Sequence, residues 1–125
     1  MDTSRLPIDV KQLLTDHIFS VSQLEMLFLF HENSDKKWNT ETISRELRSN
    51  PSAALQLLQK LNSQGFIKIC ETGEYVYSPA TDLKNVVERI HTVYKERPAA
   101  VISYLYEIPS DKLKGFADAF KFKKD

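Results

Sequence analysis

The spacing of apolar residues changes along the chain, and each change marks an element. In "PIDVKQLLTDHI", Val10, Leu13, Leu14 and Ile18 fall on one face, which predicts a short amphipathic helix over about 9–18 with Asp9 as its cap. "SVSQLEMLFLFHEN" follows, with Ser20 or Ser22 as cap. Leu24, Leu27, Phe28 and Phe30 cover so much of its circumference that this helix belongs in a core. "SDKKWN" breaks the period and reads as a loop anchored by Trp38.

Two short helical patterns come next. "NTETISRELRS" opens on Asn39 or Thr40 as cap and turns Ile43 and Leu47 inward. "SNPSAALQLLQKLNSQG" restarts with Asn50 as cap and Pro51 at the first helical position. Ala54, Leu58 and Leu61 share one face, and Gly65 stands at the end. Two short helices with a tight turn between them form a helix-turn-helix pattern. The period then shortens to two. Phe66 to Cys70 and Tyr75 to Tyr77 predict a hairpin turning through Glu71–Glu74 around Gly73, and Pro79 closes it. A helix-turn-helix running straight into such a hairpin is a winged helix.

The longest periodic stretch is "TDLKNVVERIHTVYKERPAAVISYLYE". Leu83, Val87, Ile90, Tyr94, Val101 and Tyr104 or Leu105 recur every three or four residues for most of its length, and Pro98 is expected to kink or split the helix. "IPSDKLKGFADAFKFKKD" offers a last short helix with Leu113, Phe116 and Phe120 on one side. The fold class expected is mostly α (α+β). Residues 1–125 form one domain, with a winged-helix core at 20–80 and a helical extension at 81–125.

Composition narrows the setting. Hydrophobic residues at 42% and charged residues at 27% are ordinary for a soluble globular protein. The single cysteine, Cys70, excludes an internal disulfide and suits a reducing cytoplasm; its apolar strand context predicts a buried structural thiol. The longest apolar run, "MLFLF", is too short to span a bilayer, so no membrane association is expected. His17, His31 and His91 stand far apart, with no metal-ligand spacing among them, and His31 and His91 read as helix-surface residues. Without a glycine-rich phosphate loop or a nucleophile elbow, we expect neither an enzyme nor a cofactor.

On these residues the stretch Ile43 to Tyr77, "ISREL…PSAALQLLQKLNSQGFIKI…GEYVY", resembles the winged-helix core of MarR-type bacterial regulators. The whole chain is similar to small bacterial winged-helix proteins that pair an opening like "LPIDVKQLLTDHIFSVSQLEMLFLF" with a closing "FADAFKFKKD". The resemblance implies a DNA-binding transcriptional regulator. Its reading surface would be Ser52, Ala53, Gln56, Gln59 and Lys60, with Gln56 able to pair with adenine. Thr40, Thr42, Arg45, Arg48 and Asn50 would flank the duplex backbone, and Lys68 would reach it from the wing.

Charge qualifies this expectation. The chain carries 17 basic and 17 acidic residues. Across Trp38 to Ala80, Arg45, Arg48, Lys60 and Lys68 are balanced by Glu41, Glu46, Glu71 and Glu74. Few phosphates can be neutralised, so binding to double-stranded DNA is expected to be weak and strongly salt-sensitive. The alternative is a winged helix used as a protein-interaction module, docking through the basic and aromatic tail residues Phe116, Phe120, Lys121, Lys123 and Lys124. Under either reading the wide stripe of Val87, Ile90, Tyr94, Val101 and Leu105 predicts a symmetric homodimer built from the first helix and the region Leu83 to Leu105.

Overall fold

Local chemistry starts and stops the helices. The computed structural model describes residues 6–18 and 20–106. Helix α1 (Ile8–His17) begins after Pro7 with no side-chain cap. Asp9, expected as the cap, instead lies in the first turn, where its charge suits the helix dipole, and it pairs with Arg89. Ser20 caps α2 (Val21–Glu32) by accepting a hydrogen bond from the Gln23 backbone N–H at 3.1 Å. Leu24, Met26, Leu27, Phe28 and Phe30 are all buried, so α2 is the central helix of the core.

Two asparagines do the same work for the next pair. Asn39 Oδ1 accepts from the Thr42 N–H at 2.7 Å to open α3 (Thr40–Glu46), and Asn50 Oδ1 accepts from the Ala53 N–H at 2.8 Å to open α4 (Pro51–Ser63). Between them the chain turns through Arg48, whose φ of 55° is left-handed. Gly65, at φ 88°, ends α4, and the Phe66 N–H reaches back to the Leu61 carbonyl at 3.1 Å. The core face of α4 is Ala54, Leu58 and Leu61, each fully buried.

Strands β1 (Ile67–Ile69) and β2 (Tyr75–Tyr77) pair antiparallel, with Ile67 opposite Tyr77 and Ile69 opposite Tyr75. Gly73 at φ 91° makes the turn, closed by hydrogen bonds from Cys70 N–H to Glu74 O and from Gly73 N–H to Cys70 O. Trp38 is 2% exposed and exchanges both backbone hydrogen bonds with Tyr75, adding a one-residue third strand. The two-residue alternation fails near the tip. Ile67 is buried, but Ile69 is 51% exposed and Cys70 is half-buried rather than fully buried, because the hairpin runs out beyond the helices that cover its base.

Helix α5 (Thr81–Glu96) packs on α1 and α2. It stops at Arg97, which is driven out of helical conformation ahead of Pro98, and residues 98–106 form a further helical segment. Ala100, Val101 and Leu105 of that segment enter the core, and Tyr104 shares a 2.9 Å hydroxyl contact with Thr15 of α1. No single helix among the described residues is long and apolar enough to cross a membrane. The expected closing helix with Leu113, Phe116 and Phe120 lies outside the described residues, as do Lys121, Lys123 and Lys124.

Candidate nucleic-acid interface

With Ala54, Leu58 and Leu61 turned inward, the other side of α4 must face outward. Ser52, Gln56, Gln59 and Lys60 are exposed, as the sequence predicts, whereas Ala53 is half-buried. Leu55, which the sequence reading passed over, is 38% exposed on the same side. Spacing gives no cue for this: a leucine three residues before the inward Leu58 suits the buried stripe as well as its margin.

The flanking residues divide by what their side chains already do. Arg45, Arg48 and Lys68 are exposed and cationic. Asn50 is exposed, but its side-chain oxygen is held by the cap of α4, which leaves only its amide N–H group for a phosphate. Thr42 donates its hydroxyl to Asn39 Oδ1 at 2.7 Å, and Thr40 is half-buried. The wing tip is acidic: Glu71 is exposed, and half-buried Glu74 accepts a hydrogen bond from the Thr72 hydroxyl at 3.1 Å.

The dimer stripe requires a correction. Val87, Ile90 and Val101 are fully buried and Leu105 is 2% exposed within the single chain, so these four fill its own core; of the five, Tyr94 alone remains half-exposed. The chain's own helices cover the stripe because α5 lies directly on α1 and α2. The apolar surface left open lies elsewhere. Ile8 is 81% exposed beside a cleft of about 650 Å³ between α1 and α5, which Asp9 and Asp16 border.

A second cluster joins residues that the sequence reading kept apart. The rings of His31 and His91 lie 4.9 Å apart, so neither is a simple surface residue. His91 Nε2 is 2.7 Å from Glu32 Oε2, and His31 Nδ1 is 3.5 Å from the Tyr77 hydroxyl. The cluster connects α2, the end of the wing and α5. Burial, followed by the neighbouring His91, holds the His31 pKa below its ordinary value, while Glu88 and Glu32 pull the other way. Burial, with Glu88 adding, pushes Tyr77 up to about 12. Among the described residues, no group of three or more His, Cys, Asp or Glu side chains is placed to hold a metal ion.

No protein-family model matches the chain, and no curated protein matches its sequence. Solved structures match it in fold. MepR, a transcription regulator of the Staphylococcus aureus multidrug efflux pump MepA, aligns over 98% of this chain and 93% of its own, at 14% identity and a TM-score of 0.54. A MepR mutant bound to an oligodeoxyribonucleotide aligns over 99% of this chain and 91% of its own, at 14% identity and the same TM-score of 0.54. A mutant of Lactococcus lactis ZitR aligns over 88% of this chain and 78% of its own, at 19% identity and a TM-score of 0.50. The chain therefore has the winged-helix fold of these proteins.

Proposed function

We propose that this chain is a winged-helix transcriptional regulator that binds double-stranded DNA as a homodimer, with α4 as its reading helix. The observation that carries the reading is the two-sidedness of α4. One face is fully buried at Ala54, Leu58 and Leu61, and the other holds Ser52, Gln56 and Gln59 in solvent. Asparagine caps at the start of α3 and α4 and glycine at the end of α4 hold this geometry without using the outward side chains of Gln56 or Gln59. Similar folds belong to transcription regulators, one of them bound to an oligodeoxyribonucleotide, which supports the reading.

The physical form of binding follows from charge. Exposed Arg45, Arg48 and Lys68 supply cations beside α4, and Arg48 does so from a left-handed turn position that a residue with a Cβ rarely adopts. Glu41, Glu46 and Glu71 lie exposed on the same elements. The phosphate term is therefore small: few counterions are released, affinity is low, and, against the expectation from sequence, it falls only gently as salt rises. A dimer would set two copies of α4 into successive major grooves about 34 Å apart, which calls for a palindromic site.

The test is the double variant Ala53→Glu with Gln56→Glu. A carboxylate at exposed position 56 and a second at half-buried position 53, on the margin of that face, would meet phosphate and remove duplex binding in a low-salt shift assay, with the helical circular-dichroism spectrum unchanged. Unaltered binding by this variant would mean that α4 is not the reading helix. A second reading, contact with a protein partner, draws support from the acidic wing tip at Glu71 and Glu74. Under that reading, truncation after Ala119 would release the partner in a pull-down and leave the fold intact.

A further inference from the structure

Leu55 gives α4 an apolar edge that duplex binding as such does not require. At about 100° per residue, the outward arc of the helix runs from Asn62 and Leu55 through Gln59, Ser52 and Ser63 to Gln56 and Lys60. Leu55 is the apolar side chain near one edge, beside Asn62 from the last turn; the middle carries two carboxamides and two hydroxyls, and the far edge is basic. No arginine lies anywhere in α4, and neither does any aspartate or glutamate.

Base-edge chemistry turns that inventory into a preference. Guanine is read through O6 and N7 by arginine or lysine, and cytosine through its amino group by a carboxylate. The only such group in α4 is Lys60, three residues from the end of the helix, whereas a helix-turn-helix reads mainly with the first part of its second helix. Leu55 and Gln56 lie in that first part. A glutamine amide matches the N6 and N7 pattern of adenine, and an aliphatic side chain packs on the thymine C5 methyl. Both groups belong to A·T pairs.

We infer that α4 reads an A·T-rich half-site, with Gln56 hydrogen-bonded to adenine and Leu55 packed on the methyl group of a neighbouring thymine. This rests on the duplex-binding reading above and names the substrate class of the same surface. Leu55 thereby becomes a specificity-determining residue rather than an unfilled part of the core.

The test selects duplexes from a random pool with the full chain at low salt, then replaces the selected thymines by uracil, which removes only the methyl group. The expected half-site is A·T-rich, and uracil should weaken binding about fourfold, the effect of one buried methyl-sized group. In Leu55→Ala the uracil penalty should disappear, and in Gln56→Ala the preference for adenine should fall about tenfold or more. Both positions are exposed, and a thermal melt confirms that each variant is folded. A G·C-rich selection, retention without base preference, or a uracil penalty that persists in Leu55→Ala would overturn the inference and leave duplex binding standing. Failure to retain any duplex would overturn both.

Discussion

Gln23 and Ser44 are the polar side chains buried in the core among the described residues, and Gln23 has a structural task. Its amide donates to the His17 carbonyl at 2.8 Å and to Gln64 Oε1 at 3.0 Å, while the Gln64 amide donates to the same carbonyl at 2.7 Å. The end of α1, the first turn of α2 and the C-cap of α4 thus meet at one carbonyl that α1 itself leaves unsatisfied. The histidine pair is the other residue-level node, and the titration of His31 is measurable. The folded state favours neutral His31, so the unfolded chain binds more protons, and stability is lost as pH falls through the ordinary value of 6.5. Tyr77 acts at the other end: its raised pKa favours the neutral phenol, and stability is lost as pH rises from 10 toward about 12. Melting temperatures across this range should form a plateau with two falling limbs, and His31→Gln should flatten the acid limb. An acid limb identical in the variant would remove His31 as its source.

At the scale of elements, the left-handed glycines set where α4 and the wing can go. A Cβ added at Gly65 meets nothing within 4 Å, so the cost of Gly65→Ala is confined to holding alanine at φ 88°. That cost is about 1–2 kcal/mol, read as a lower urea midpoint with an unchanged slope. A neutral result would show that the end of α4 can rearrange. Such devices were legible in the sequence because they are local. Asn39, Asn50, Pro51 and Gly65 act on backbone groups within a few residues, and the structure uses each in its expected place. Pro98 likewise breaks the helix where expected. Asp9 is not the cap because Pro7 already starts α1, and a carboxylate two residues later suits the helix dipole as well as it would suit a cap. In the candidate interface, spacing alone located Ser52, Gln56, Gln59 and Lys60 on the outer face, but it could not show Ala53 half-covered or Leu55 open.

For the whole molecule the open question is how two copies would meet. Val87, Ile90, Val101 and Leu105 are used up inside one chain, so a dimer has to form on surface that remains uncovered. Ile8, at 81% exposed beside the α1–α5 cleft, and Tyr106, at 72% exposed, provide such surface. If the proposed homodimer forms there, sedimentation at micromolar concentration will show twice the chain mass, and Ile8→Asp will shift the population to the single-chain mass. Wild type sedimenting only at the single-chain mass would refute the dimer; a variant that keeps the doubled mass would move the interface away from Ile8. By itself the sequence determined where helices start and stop, which side of α4 is apolar and where the hairpin turns, because caps, glycines and periodicity act across one or two turns of chain. Only the tertiary structure decided that the α5 stripe is covered by α1 and α2, that Ile69 overhangs the core, and that His31 and His91 come into ring contact. Those outcomes depend on which distant surfaces come into contact, and a helix with an apolar stripe is equally suited to its own chain or to another.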